Sequence, residues 1–242
     1  MLLKKAENLI LDGIFPIYCV SCGDFLANEK NAHICDKCLK KITINSALFC
    51  PICFKRLSQF DNKKCLHSNK KSNLDFLGYA TSYENTSVRD LIHNYKYRFA
   101  KKIKISLAQI LIHYLSKSLS NEDEYCIIPL PLHHSRFNWR GFNQTEEIGK
   151  IVVEYFHWPI FTNVLLRKKK TSEQAEIKEK EKRQENLKNA FILNNKIDLE
   201  KIKNKKIILL DDVYASGATL EEAAKTLKTA GFKKIIGIVV AK

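Results

Sequence analysis

The chain has 242 residues and 28.0 kDa, room for one large domain or two small ones. Its 45% hydrophobic content excludes wholesale disorder, and the longest apolar run, Ile235–Ala241, is far short of the ~20 residues that span a bilayer. A net charge of +15 and a pI near 9.4 favour phosphate-rich partners, although a lysine-rich surface that only keeps the chain soluble would read the same way.

At the N-terminus, Lys4 and Lys5 precede a stretch broken by Glu7, Asn8, Asp12 and Pro16. That is no secretory h-region, so a cytoplasmic location is expected, with peripheral contact at the inner membrane face left open. A reducing compartment argues against disulfides and for metal in the cysteine-rich stretch that follows. Seven of the eight cysteines lie between positions 19 and 65. Cys19-x-x-Cys22 and Cys35-x-x-Cys38 form two knuckles of a ribbon-type tetrathiolate, whose sulfurs suit structural zinc. The pattern repeats 31 residues later in Cys50-x-x-Cys53, followed by Cys65 and His67. A second zinc is therefore expected on Cys50, Cys53, Cys65 and His67, unless His67 is an ordinary surface histidine. One or two zinc ions would hold a module too small to fold on its own core. Residues 1–72, the expected N-terminal module, carry twelve basic and six acidic side chains, a denser positive charge than residues 73–242. Phe49, Phe54 and Phe60 interleave with Lys55, Arg56, Lys63 and Lys64 there. Such a pattern would suit stacked bases and backbone phosphates. Phe49 and Phe54 read more simply as the module's core.

Residues 61–75 are polar and read as a linker. Beyond them the pattern alternates. A strand is expected over Leu77–Tyr83, helices over Thr86–Tyr97 and Lys104–Leu119, and a strand over Tyr125–Pro129. Then come a helix over Thr145–Phe156, a short strand at Val164–Leu166, and a polar helix and loop within Arg167–Lys188. The C-terminal run adds strand Lys206–Leu210, helix Leu220–Ala230 and strand Lys234–Val240. Cys126, among Tyr125, Ile127 and Ile128, reads as a small buried hydrophobe. Strands alternating with helices predict an α/β fold with a parallel sheet covered on both faces.

One segment carries the chemistry. The apolar strand Ile207–Leu210 ends in Asp211 and Asp212, and a small-residue loop, Ala215-Ser216-Gly217-Ala218-Thr219, leads into a helix. Ligands bind beyond the carboxyl ends of parallel strands. The loop N–H groups and the helix N-terminus suit a phosphate, and the two acids suit vicinal sugar hydroxyls. Two strand-end acids plus a helix cap at Thr219 is the plainer alternative.

This segment resembles the phosphoribosyl pyrophosphate (PRPP) loop of type I phosphoribosyltransferases. The resemblance implies a Rossmann-like parallel sheet of about five strands. It also implies that Asp211 and Asp212 hold the ribose hydroxyls, that Ala215–Thr219 cradles the 5′-phosphate, and that Mg²⁺ rides on the pyrophosphate and ribose oxygens. Ile128-Pro129-Leu130-Pro131 looks like the start of a pyrophosphate loop, with Pro131, Arg136, Arg140 and Gly141 as its candidate contacts. Lys96 in Lys96-Tyr97-Arg98 would add positive charge. Arg167 and Lys168, in Leu166–Thr171 with Gln174, resemble a flexible loop that closes over PRPP.

The cysteine knuckles, Asn94–Arg98, Arg140–Gln144, Gln174 with Arg183, Asn186 and Ala190-Phe191, and the PRPP loop together resemble the ComF family: a double zinc ribbon followed by a phosphoribosyltransferase domain. Cys65-x-His67 departs from that family's second cysteine knuckle. The resemblance implies a part in natural transformation, handling imported single-stranded DNA alongside the uptake helicase and recombination mediators. An active phosphoribosyltransferase with an unidentified nucleobase or amine acceptor is the alternative, and a PRPP sensor without turnover a third.

Overall fold

The computed structural model describes residues 17–26, 33–57, 65, 72–97, 100–120, 123–168 and 188–242. His67, Arg98, Gln174, Arg183, Asn186 and the residues before 17 lie outside them.

The central sheet has six strands in the order β2-β1-β3-β8-β7-β4. Four of these form the parallel core: β3 (Phe76–Thr81), β8 (Ile235–Ala241), β7 (Lys206–Val213) and β4 (Tyr125–Pro129). The other two, β1 (Leu48–Phe49) and β2 (Arg56–Leu57), come from the cysteine-rich module and pair antiparallel. The fold is thus the expected mixed α/β architecture, with four parallel strands rather than about five. A single parallel bridge, Ile127 to Ile160, stands beside β4 where a fifth would lie.

The strand period of two sends alternate side chains to opposite faces. On one face Ile127, Ile208, Leu210 and Ile238 meet three helices, α2 (Thr86–Tyr97), α3 (Ile103–Ser118) and α5 (Gln144–Phe156). On the other, Cys126, Ile128, Ile207 and Leu209 meet α7 (Ala218–Thr229) and the antiparallel hairpin β5 (Leu165–Arg167)–β6 (Phe191–Leu193). Cys126 is fully buried, and burial pushes its thiol up to about 12, so it is the inert hydrophobe its neighbours suggested. Three short helices are also present among the described residues: α1 (Asp36–Lys40), α4 (His134–Arg140) and α6 (Glu200–Lys203). The sequence pattern had not marked α4, because its seven residues show no apolar period.

The cysteine-rich module is welded to this core. Its Ile34, Ile42 and Leu48 share one apolar cluster with Val88, Leu91 and Leu111. Tyr114 of α3 donates from its hydroxyl to the Ala47 carbonyl at 2.6 Å. That reach passes over β3 at Gly78, where any Cβ would lie 2.5 Å from both the Tyr114 hydroxyl and Ile238. Thr81 and Asn45 add hydrogen bonds to Thr43 and Tyr79 carbonyls.

Candidate functional site

Two thiol clusters lie in the module. The sulfurs of Cys19, Cys22, Cys35 and Cys38 sit within 4.8 Å of one another, and Cys22 Sγ lies 3.8 Å from Cys35 Sγ. A tetrahedron with Zn–S of ~2.3 Å has an edge of about 3.8 Å. The donor set therefore fits zinc in number, chemistry and spacing. Burial raises the Cys19 thiol, but backbone N–H groups of Cys22, Cys35 and Ser21 outweigh it and bring the group down to about 7. Such N–H donors favour the thiolate, the ligating form. In the second cluster Cys50, Cys53 and Cys65 also converge within 4.8 Å, with Cys53 Sγ 3.5 Å from Cys65 Sγ. Its proposed fourth ligand, His67, lies outside the described residues.

The two knuckles share one turn. Gly23 N donates to the Cys19 carbonyl and Phe54 N to the Cys50 carbonyl, both at 2.9 Å. The fifth residue of each has positive φ: +77° at Gly23 and +57° at Phe54.

A cleft of about 460 Å³ opens beyond the carboxyl ends of the parallel strands. Asp211 and Asp212 close β7 at its floor. Lys96, at the end of α2, makes a 2.7 Å ion pair with Asp212 Oδ1. The Asp212 N–H donates to Asp211 Oδ1 at 2.8 Å. Desolvation at the strand end and the charge of Asp212 push the Asp211 carboxyl up to about 7, against the opposing pull of Lys96 and Arg167. The loop after β7 supplies Ala215, Ser216, Gly217 and Thr219 to the wall. Gly217 is the N-cap of α7 at φ +77°, so the turn faces the cleft with the positive end of the helix, and the Ala218 N–H donates to Ser216 Oγ at 3.5 Å. A side chain at Gly217 would strike the Tyr214 ring. This turn, with two acids placed for hydroxyls, fits a phosphorylated sugar.

Cations line the opposite wall. Arg136 and Arg140 come from α4 and Arg167 from β5. Burial first, and the field of Arg136 second, lower the Arg167 guanidinium's proton affinity. Pro131 lines the same wall. Of the candidate contacts, three lie outside the lining. Gly141 is the left-handed C-cap of α4 (φ +72°), so its work is to turn the chain into α5. Ala218 starts α7 and is buried. Lys168 is exposed, its N–H bonded to the Ala190 carbonyl.

A phosphoribosyl transferase domain is recognised over residues 158–242 and a double zinc ribbon domain over residues 10–69. The chain is similar to Competence protein F of Haemophilus influenzae, 29% identical over 227 residues, 91% of this chain and 95% of that protein. It is also similar to Competence protein ComFC of Streptococcus pneumoniae, 28% identical over 62% of this chain and 61% of that one. Competence protein ComFC of Bacillus subtilis is 25% identical over 88% and 78%. The chain thus pairs a double zinc ribbon with a phosphoribosyl transferase domain and is similar over most of its length to proteins named for competence. The double zinc ribbon and its cysteine clusters make zinc this chain's structural metal.

Several lining residues were not singled out in the sequence: Tyr83, Thr145, Tyr214 and Lys242. A signal for two of them existed. Tyr83 follows β3 and Lys242 follows β8, and the carboxyl ends of parallel strands are where such sites form. Their backbones meet at 2.8 Å, Tyr83 N–H to Lys242 carbonyl. Phe54 corrects its expected place in the ribbon core. It is 38% exposed, with Lys242 Nζ 4.1 Å from its ring centroid and the Tyr214 ring at 5.8 Å. Phe49 is buried, stacked on Tyr79 at 4.4 Å. The second knuckle thus abuts the edge of the cleft.

Proposed function

We propose that this chain is a ComF-type DNA-handling protein of natural transformation that binds PRPP with Mg²⁺ in the cleft and single-stranded DNA on its basic surface. The cleft carries the first half of that reading. Two acids, a helix N-terminus and five guanidinium or ammonium groups converge on one cavity at the strand ends. Asp211 and Asp212 would accept from the ribose hydroxyls, the Ala215–Thr219 turn would hold the 5′-phosphate, and Arg136 and Arg140 the pyrophosphate. Mg²⁺ would bridge substrate oxygens and water, as a hard cation with few protein ligands does. Lys96 must leave Asp212, or share it, when the sugar enters.

The competence names of the relatives and the +15 charge support the second half. No helix of the described residues is long and apolar enough to cross a membrane. The strand would work with an uptake helicase and recombination mediators in the cytoplasm.

The test uses the zinc-loaded full chain. Fluorescence anisotropy with labelled oligothymidylate is expected to give binding whose log affinity falls with log salt by about 0.7 per phosphate neutralised. Absence of binding at ~100 mM salt refutes the DNA half. Release of pyrophosphate from PRPP and Mg²⁺, compared with and without the strand, separates turnover from binding.

A further inference from the structure

Exposed aromatic rings are usually scattered; here they form a line. In the first ribbon, Tyr18 and Phe25 are both more than half exposed, their rings 6.1 Å apart edge to face. Tyr18 lines a groove that also holds His33 of the ribbon and His93 of α2. His93 stacks against Tyr97 at 4.9 Å, and Tyr97 meets Trp139 of α4 at 6.0 Å. Tyr97 in turn lines the PRPP cleft. Tyr97 is 43% and Trp139 53% exposed. Rings of this size leave water readily when they have a partner, and none of these four is needed to fill the core.

At the cleft end of the line the charge is positive. Arg136 and Arg140 flank Trp139 in a helix that carries no acid, and Arg140 lies 5.6 Å from the ring centroids of both Tyr97 and Trp139. Lys96, paired with Asp212, lies in the last turn of α2, and Lys101 and Lys102 are exposed just beyond the helix. Among the described residues, Asp90 is the one acid lining the groove. Flat rings spaced along a cationic path are what single strands bind, since every base has a π-face and every phosphate a charge.

We propose that Phe25, Tyr18, Tyr97 and Trp139 form a stacking track for the bases of single-stranded DNA, running from the first zinc ribbon to the mouth of the PRPP cleft. The proposal rests on the DNA-binding reading above and gives it a surface, on the side of the first knuckle and not around Phe54. Duplex DNA, whose bases are already stacked on each other, would hold no advantage there.

Anisotropy of the zinc-loaded chain with oligothymidylate, with an abasic strand of equal charge, and with a duplex tests this. Trp139→Ala, Tyr97→Ala and Tyr18→Ala are each expected to weaken oligothymidylate binding by roughly 5- to 150-fold. Their affinity for the abasic strand and their salt slope should stay unchanged, and Trp139→Phe should restore most of the loss. A readout independent of variant folding comes from tryptophan emission. The chain has two tryptophans, and the other, Trp158, is stacked on Phe156 at 4.3 Å. Quenching by oligothymidylate should vanish in Trp139→Phe. Wild-type affinity in the alanine variants, equal binding of abasic strand or duplex, or quenching that survives in Trp139→Phe overturns the track. If the unmodified chain binds no strand at all, the DNA-binding reading falls with it; binding that ignores these rings removes the track alone.

Discussion

The two zinc knuckles are one motif used twice, and they differ where it counts. Both close with the same 2.9 Å bond from the fifth residue to the first carbonyl, and both hold that fifth residue at positive φ. The first uses Gly23, for which the conformation is free, and nothing would touch a Cβ there. The second uses Phe54, for which a left-handed backbone costs about 1–2 kcal/mol. What offsets the strain is contact: the ring sits under the Lys242 ammonium and against Tyr214, the residue that precedes the Ala215–Thr219 loop. The first knuckle therefore packs on α2, where Ser87 Oγ meets Ser21 Oγ at 2.7 Å, and the second abuts two residues that line the cleft, Tyr214 and Lys242. Metal in one site holds the ribbon; metal in the other also sets the edge of a ligand pocket.

The largest effect that would break this comparison is loss of the metal. Cys19→Ala and Cys50→Ala should each lose zinc stoichiometry, and much of the ~10–16 kcal/mol that structural zinc can supply, giving early proteolysis within residues 17–57. The comparison predicts a difference between them: only Cys50→Ala should also weaken PRPP binding, measured by calorimetry. Equal PRPP affinity in the two would mean that the second knuckle is as independent as the first.

The next effect is smaller and tests the weld between ribbon and core. Leu48→Ala removes a buried side chain from the shared cluster and should cost about 2–5 kcal/mol, read as a lower denaturant midpoint. Unfolding in a single transition is expected, because ribbon and sheet share that core. Two separated transitions would show two independent units.

The sequence revealed local chemistry and concealed remote contacts. The cysteine spacing and the run from Ile207 to Thr219 are contiguous in the chain, so their geometry follows from neighbours, and both reappear in place. Helix Thr86–Tyr97 and strand Tyr125–Pro129 likewise stand where the apolar period put them. What stayed hidden depends on residues far apart. The two-residue strand β1 is too short to show a period, yet it pairs Phe49 with Leu77 and extends the sheet. Phe54 reads as core because nothing local shows Lys242 arriving 188 positions later to cover it. Gly141 reads as a phosphate contact because glycine serves both turns and close approaches, and here the turn won.

Acidity tests the cleft side of the comparison. The Asp211 carboxyl gives up its proton near pH 7 in the folded chain and near 4 in the unfolded one. Between those values the native state holds more protons, so this group makes stability fall as pH rises, and the loss is complete above about 7. A sugar hydroxyl or Mg²⁺ needs the carboxylate, so PRPP affinity should rise with pH through 7 and level off above it. Calorimetry from pH 6 to about 8 should show that slope, and Asp211→Asn should flatten it. A slope that persists in Asp211→Asn would assign it to another group.

The smallest effect belongs to Phe54. Phe54→Gly relieves the strained backbone and removes the ring from Lys242 and Tyr214, so its melting temperature should change little while PRPP affinity falls a few-fold. Gly23→Phe, the reverse exchange, should cost stability and leave PRPP binding intact.

The central claim is that Asp211 and Asp212 at the end of β7 hold PRPP. Calorimetric titration of PRPP and Mg²⁺ into the zinc-loaded chain and into the Asp211→Asn/Asp212→Asn double variant tests it most directly. Saturable binding in the first, none in the second, and a melting temperature within a few degrees between them is the predicted result. Undiminished PRPP affinity in the double variant would contradict it and put the site elsewhere.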